Sequence, residues 1–460
     1  MNVLLTYPPF CTPASPPHSL ISLYGFLQRN LSNGHHLELL DLNLLFHNLK
    51  WKTEGNYFRS FTKNYDAETY EQISREYMKE STLTYAANNK QVLAGESPEF
   101  FDELVTTILQ KKPDLVALSI VYSSQAFYSS ALLKRLNEQG IKTVVGGPSA
   151  NKKLKELAAL PLQNEVELLE YLMGKSKDHA ALQIHGPLDF RLLPLSEYFV
   201  PQVVLPLRTS ISCYYQQCTF CTHHGNKPYQ ELSLEEVKQT ILLSKSHHVF
   251  FMDDMISRNR LLEIAALLKP LQVSWMCQLR PTRELDKKTL SILQESGLRT
   301  IMWGMESGSD RILQLMKKGT TRADAEVVLQ NSAAAGIKNC LFILFGFPTE
   351  TREDFKATLN FLQQNKGITA LVLSTVFGLQ QGAPLMNNLA EYGITMEKHE
   401  RTLLEPKITY TVQEGLSQEQ ATTLRKRQKH FLAGMNHYPQ AMNFFREHLL
   451  ILLSYQNNKS

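Results

Sequence analysis

Residues 203–221 read VVLPLRTSISCYYQQCTFC, an apolar run that breaks into a loop carrying Cys213, Cys218 and Cys221 within nine positions. A short apolar run that stops at a polar turn is the pattern of a buried strand. The whole chain has only six cysteines in 460 residues, too few for a disulfide scaffold. Three of them on one loop, directly after a strand, therefore point to a bound metal in a reducing compartment.

The strand before this loop is the first of a regular series. Downstream, VFFMDD, VSWMCQL, RTIMWGM, KNCLFILFG and TALVLSTVF alternate with helical stretches such as RLLEIAALL, KKTLSILQESG, ADAEVVLQNSAAAG and DFKATLNFLQQ. Ser233 with Glu236, Thr321 with Asp324 and Thr351 with Asp354 supply capping boxes where helices should begin. Six β/α units are fewer than the eight of a closed barrel, so the expectation is a partial (β/α)6 TIM-type barrel. Its active site would lie at the C-terminal mouth of the strands, where the cysteine loop emerges.

Upstream the rhythm is similar: VLLTYP, LELLDLN, LVALSIV and TVVGGP are separated by helical patterns such as SLISLYGFLQRNL and SALLKRLNEQG. This predicts an α/β fold with a doubly wound, Rossmann-like parallel sheet over residues 1–175, interrupted by a helical insertion at about 48–112. A proline-bearing connection spans 176–200, the barrel 201–385, and a helical, mildly basic C-terminal region 386–460, expected to cap the barrel and help recognise substrate. Composition, 43% hydrophobic and 20% charged, is that of an ordinary globular protein. A net charge of +4 is too weak to suggest a nucleic-acid partner, and no apolar run reaches the length of a membrane span. The opening MNVLLTYPPF lacks a basic n-region and reads as a first strand, so a soluble cytoplasmic protein is expected.

Three thiolates can hold three corners of an iron–sulfur cube, leaving the fourth iron for another ligand. The same thiols with His223 or His224 could instead complete a zinc tetrahedron. SCYYQQCTFC resembles the cluster loop of the radical S-adenosylmethionine superfamily, with the aromatic Phe220 before its last cysteine. It has four residues between the first two cysteines where most members have three, a variant that resembles cobalamin-associated members.

The resemblance implies a 4Fe-4S cluster on Cys213, Cys218 and Cys221, with S-adenosylmethionine on the open iron as source of a 5'-deoxyadenosyl radical. WGMESGSDRILQLMKKG resembles the family's glycine-glutamate-serine segment, implying that Glu306 and Ser307 reach the ribose or methionine part of the cofactor and that Gly304 and Gly308 allow close backbone approach. LFGFPTET resembles the adenine-side segment, in which Gly346 and Pro348 shape the turn and Glu350 starts a helix. Asp253 or Asp254 could meet the methionine amino group. Arg280 could pair with the cofactor carboxylate, or form an interdomain salt bridge. Cys277 and Cys340 read as core thiols, and Cys11 stays unassigned.

The first domain resembles the cobalamin-binding domain that precedes many members of this superfamily, which implies cobalamin contacts at Ser119, Val121, Gly146 and Gly147. The loop PPFCTPASPPHSL lacks Asp-x-His-x-x-Gly, and His18 stands alone, so cobalt is expected to carry no histidine ligand from that motif. The expected function is a cobalamin-dependent radical methyltransferase acting on an unactivated carbon of a peptide or small metabolite, with an electron donor such as flavodoxin or ferredoxin. A cyclase or rearrangement enzyme with the same cofactors, and a zinc-stabilised binding protein without redox chemistry, are the alternatives. No proton donor or acceptor of the catalytic step is identified.

Overall fold

The computed structural model describes residues 1–31, 34–176, 178–222 and 228–457. The chain divides into two compact units. The first is Met1–Pro206 with Gln239–Ser246 and Arg401–Glu405; the second is Leu207–Lys238, His247–Glu400 and the chain from Pro406 onward.

In the first unit, β1 (Asn2–Tyr7), β2 (His36–Asp41), β3 (Leu115–Ser119) and β4 (Lys142–Gly146) form a parallel sheet in the order β2-β1-β3-β4. Helix α1 (His18–Asn30) crosses from β1 to β2. Strands β1 and β3 are buried almost without interruption, as central strands covered on both faces must be. Between β2 and β3 the chain builds α2 (Leu42–Lys50), α3 (Lys52–Phe58), α4 (Ala67–Leu93) and α5 (Phe101–Gln110). Asp66 caps α4 by accepting from Thr69 N, and its buried Tyr70, Ser74, Tyr77, Thr84 and Asn88 recur at helical spacing. They face an aromatic core of Trp51, Phe58 and Phe199. Helix α6 (Ala126–Glu138) leads into β4, followed by α7 (Lys152–Leu157) and α8 (Glu165–Met173). The stretch read as a connection folds back here: Phe190, Tyr198 and Phe199 are buried, and Tyr198 Oη donates to Asp41 Oδ2 at 2.7 Å.

The second unit starts with β5 (Leu205–Leu207) at its boundary, then β6 (Ser210–Ile211) and β7 (Gln230–Glu231), which make a short antiparallel ribbon. Then come α9 (Leu234–Ser244), whose residues from Gln239 onward belong to the first unit, and β8 (His248–Phe251), α10 (Arg258–Leu268), β9 (Ser274–Leu279), α11 (Lys287–Glu295) and β10 (Leu298–Glu306). Two helices, α12 (Asp310–Leu315) and α13 (Arg322–Ala334), then precede β11 (Lys338–Phe345), α14 (Arg352–Gln364) and β12 (Thr369–Val376). The six strands lie in the order β12-β11-β10-β9-β8-β5, with β8 to β12 parallel. The reciprocal capping box forms in full at Thr351 and Asp354. Thr321 accepts from Asp324 N at 3.1 Å.

An unclosed sheet exposes a strand edge. Here the chain after α15 (Gln418–Arg427) and α16 (Lys429–Ala433) covers β12: Asn436 Oδ1 accepts from Val372 N at 2.7 Å and His437 N donates to Ala370 O at 2.9 Å. The last helix, α17 (Arg446–Asn457), lies against β8, β9 and β10. The C-terminal region is thus helical where expected and adds an antiparallel hairpin, β13 (Ile394–His399) with β14 (Lys407–Val412). Among the described residues no helix is long and apolar enough to cross a membrane.

Candidate functional site

The cysteine loop leaves β6 through two residues in the left-handed region, Ser212 (φ +65°) and Gln216 (φ +48°). Gln216 Nε2 donates to Ser212 Oγ at 3.1 Å, which offsets part of the cost of holding non-glycine residues there. Cys213, Cys218 and Cys221 form no disulfide and are half-buried, and Cys221 N donates to Cys218 O at 3.3 Å. Among the described residues no three His, Cys, Asp or Glu side chains are grouped closely enough to hold an ion as they stand. His223 and His224, the candidate completion of a zinc site, lie outside the described residues.

The loop is docked on the end of α12. A helix leaves its last carbonyls without intrahelical donors, and something must supply them. Thr219 Oγ1 donates to Leu315 O at 3.2 Å and Thr219 N to Met316 O at 3.0 Å. Tyr215 Oη donates to Lys317 O at 2.8 Å, and Arg280 Nη1 to Lys318 O at 2.9 Å. Four successive carbonyls thus take donors from the cysteine loop or from Arg280 beside it. On the other side Leu385 N donates to Thr219 O at 2.8 Å. Phe220 packs on an apolar cluster that includes Phe347, Phe377, Tyr392 and Tyr410.

Two buried cations stand beside the Cys218 thiol. Arg280, 8% exposed, stacks its guanidinium 3.6 Å from the Tyr215 ring centroid; among the described residues its Nε has no partner. Its Nη1 donates to the Lys318 carbonyl and not to a carboxylate. Lys318, also 8% exposed, places Nζ 2.8 Å from Glu306 Oε1 and over the Phe220 ring at 5.6 Å. Burial works against the charge on Lys318, but Glu306 and the Cys218 thiol outweigh it and its pKa is raised. Burial pushes the Cys218 thiol up, while Lys318 and Arg280 pull it toward the thiolate. A buried guanidinium lacking a counter-ion is costly unless an anion arrives. A loop of three thiols with Cys218 next to two cations fits an anionic cluster, and the orphaned Arg280 Nε fits a carboxylate.

The other expected positions divide into two groups. Glu306 sits at φ +65°, just past a register shift in β10, and faces Lys318. Gly304 serves this pair: a Cβ there would come within 2.9 Å of Lys318 Nζ and 3.0 Å of Glu306 Oε1. Gly308, in contrast, is packed against α14, where a Cβ would lie 2.7 Å from Phe361 Cβ. Ser307 is fully buried, with Oγ 3.2 Å from Thr358 Oγ1. Asp253 takes Thr209 N, Thr209 Oγ1 and Ser210 Oγ, and so ties β8 to the strand that launches the cysteine loop. Gly346 (φ +71°) and Pro348 lie in a buried turn beside Glu350. Glu350 Oε2 accepts from Gly346 N, Oε1 has no partner, and burial raises the carboxyl to about 8. Cys277 and Cys340 are buried thiols whose pKa burial raises.

In the first unit the ends of β3 and β4 meet. Ile120 N donates to Gly146 O at 2.8 Å, and Ser149 Oγ to Val121 O at 2.8 Å. Ser119 Oγ is 2.8 Å from Ser19 Oγ. Gly147, at φ +105°, has no room for a side chain: a Cβ would come within 2.4 Å of Ile120 O. Gly146 is exposed and a Cβ there would meet nothing within 4 Å. Cys11 is half-buried, with its Sγ 3.6 Å from Tyr7 Oη and its thiol raised to about 12 by burial. Lys318, Tyr215 and Gly319 were not singled out from the sequence. The signal lay in MKKGTT, whose buried second lysine is indistinguishable there from a solvated one.

Comparison with known proteins finds a matching family model and several relatives. The radical SAM superfamily model matches residues 211–362. An uncharacterized methyltransferase of Pyrococcus horikoshii is 25% identical over 312 residues, covering 57% of this chain and 67% of that protein. A threonylcarbamoyladenosine tRNA methylthiotransferase of Aquifex aeolicus is 26% identical over 272 residues, covering 53% of this chain and 64% of that protein. The chain therefore spans about two thirds of the length of these curated relatives. Among solved structures, the radical S-adenosylmethionine methyltransferase TsrM from Kitasatospora setae, with cobalamin and a 4Fe-4S cluster bound, superposes with a TM-score of 0.60. It shares 15% identity and covers 97% of this chain and 99% of its own. OxsB, a cobalamin-dependent S-adenosylmethionine radical enzyme with aqua-cobalamin and S-adenosylmethionine bound, gives a TM-score of 0.52 at 16% identity, over 85% of this chain and 56% of its own. At these identities the structures share the fold, a Rossmann-like unit followed by a partial barrel.

Proposed function

We propose that this chain, whose residues 211–362 belong to the radical SAM superfamily, is a cobalamin-dependent radical methyltransferase acting on an unactivated carbon of a peptide or small metabolite. The observation that supports the reading is a single half-buried loop carrying three thiols outside any disulfide, with Cys218 beside Arg280, a buried cation whose Nε has no partner among the described residues. Cys213, Cys218 and Cys221 would hold three irons of a 4Fe-4S cluster and leave the fourth to S-adenosylmethionine. Lys318 and Arg280 neutralise the charge gathered on the cluster and the cofactor carboxylate. Glu306 is set to meet the cofactor's ribose or ammonium, while Phe220, Gly346 and Pro348 form an adenine side. Asp253 contributes by fixing the strand end from which the loop departs. When bound, the cluster and S-adenosylmethionine supply a 5'-deoxyadenosyl radical and cobalamin supplies the methyl group.

For cobalamin, the exposed Gly146 and the close-packed Gly147 leave the ends of β3 and β4 bare, with Ser119 and Val121 alongside. Parallel sheets of this type bind ligands at those ends. No histidine of an Asp-x-His-x-x-Gly motif would reach cobalt. Thiols outside any disulfide suit a cytoplasmic enzyme fed by an electron donor such as flavodoxin or ferredoxin.

Anaerobic purification tests the cofactors: a brown protein with about four irons per chain and retained cobalamin is expected, and a colourless zinc protein would end the reading. Turnover should yield both S-adenosylhomocysteine and 5'-deoxyadenosine. Production of 5'-deoxyadenosine alone would point instead to a cyclase or rearrangement enzyme.

A further inference from the structure

We propose that Tyr215 is a positioning residue for the cluster. Through it the longer cysteine loop is clasped onto Arg280 and the Lys317–Gly319 turn, so that the cation beside Cys218 is held in place. The inference rests on the cluster assignment made above and concerns a residue that ligates nothing.

Three independent features converge on this side chain. Its Oη donates to Lys317 O at 2.8 Å, across 102 positions of sequence. Its ring carries the Arg280 guanidinium at 3.6 Å, within stacking distance, and Arg280 in turn donates to Lys318 O at 2.9 Å. Gly319, at φ +66°, completes the clasp: a Cβ there would come within 2.2 Å of Tyr215 Oη and 2.8 Å of Arg280 Nη1. A tyrosine in this place joins the loop between the first two cysteines, the residue after β9 and the end of α12.

Tyr215 lies within the four-residue spacer Tyr214–Gln217, and the left-handed Gln216 after it turns the chain back toward Cys218. Such a loop has more freedom than a three-residue spacer, and each fixed residue costs conformational entropy that a docking contact must offset. Thr219 pins the second half of the loop through Met316 and Leu315. Tyr215 is the corresponding anchor of the first half. Without it the loop would still carry three thiols, but Arg280 would lose the ring that holds its guanidinium flat. Cysteine ligands oriented by outer contacts bind metal more tightly than unrestrained ones.

The test compares the full-length chain with Y215F, Y215L and G319A after anaerobic cluster reconstitution. Readouts are iron per chain, the rate of iron loss to a chelator, and the midpoint potential followed by electron paramagnetic resonance. Y215L should lose iron about tenfold faster than the parent, within the range for outer-shell changes, with Y215F between them because it keeps the stack. G319A should behave like Y215L by displacing the ring without altering it. The clusters that remain in Y215L should have a lower midpoint potential, since moving a cation away disfavours the more negative reduced cluster. A merely structural role would leave that potential unchanged. Parental iron-loss rates and potential in Y215L would overturn the proposal; if Y215L does not fold, parental values in both Y215F and G319A would do so. A parent chain that takes up no iron would sink the cluster reading itself, which is a different failure.

Discussion

Lys318 and Glu306 form a buried ion pair at 2.8 Å, in a space that exists because residue 304 has no side chain. Both side chains are nearly withdrawn from water, at 10% and 14% exposure. Breaking such a pair from one side leaves an uncompensated charge. Glu306→Gln should therefore lower stability by about 3 kcal/mol, and Glu306→Gln with Lys318→Met should recover much of it. Denaturant unfolding of the two variants tests this, and a double variant no better than the single would refute it. Gly304→Ala should disturb the pair by steric pressure alone.

The three loop thiols and the core thiols should separate cleanly. Cys213→Ser, Cys218→Ser and Cys221→Ser are each expected to abolish the brown colour after anaerobic reconstitution, whereas Cys277→Ser and Cys340→Ser, buried in β9 and β11, should keep full iron content. Iron analysis and visible absorbance decide the matter. Loss of iron in a core variant that remains folded would contradict the assignment.

Glu350 should make stability depend on pH in a defined direction. Burial raises its carboxyl to about 8 in the folded chain from an ordinary value of 4.5. Below the unfolded value both states are protonated and its contribution is fully present; between the two values only the unfolded state ionises, so stability falls as pH rises toward about 8. Glu350→Gln, which keeps an acceptor for Gly346 N, should flatten Tm between pH 5 and 8. An unchanged slope would show that Glu350 is not the group responsible.

Asn436 is expected to matter although it is remote from the cysteines. Its Oδ1 takes the Val372 N–H that an open sheet edge would leave bare. Asn436→Ala should cost about 1–3 kcal/mol, the range for an unsatisfied buried donor, and increase aggregation through the uncovered β12. Equilibrium unfolding and light scattering would report both effects.

Gly147 and Gly146 give a paired test of the first unit. Gly147→Ala places a Cβ 2.4 Å from Ile120 O at a positive φ and should shift the ends of β3 and β4, while Gly146→Ala meets nothing. Cobalamin retained after purification should fall in the first variant with iron content unaffected. Equal retention in both would argue against binding at these strand ends.

Much of the architecture was legible because it depends on periodicity. The strands from VVLPL to TALVLSTVF are continuous apolar runs because both faces of a parallel sheet are covered, and Thr351 with Asp354 marks a helix start through contacts three residues apart. The cysteine loop was legible because its chemistry is local, with three thiols inside nine positions. The stretch at 394–412 forms a hairpin within a region whose pattern reads as helical, since short exposed strands leave little apolar signal.

What the sequence determined by itself was the set of groups able to hold a cluster and the serial β/α order that carries them. What only the tertiary structure decided was their surroundings. Ser307 meets Thr358 and Gly308 packs on Phe361 of α14; Gly304 makes room for an ion pair; Lys318 is buried, not solvated. The physical reason is separation along the chain: Tyr215 meets Lys317, and Arg280 meets Lys318, only because the turn after α12 presents its carbonyls where the cysteine loop passes. Local spacing cannot encode a donor that arrives from 102 residues away.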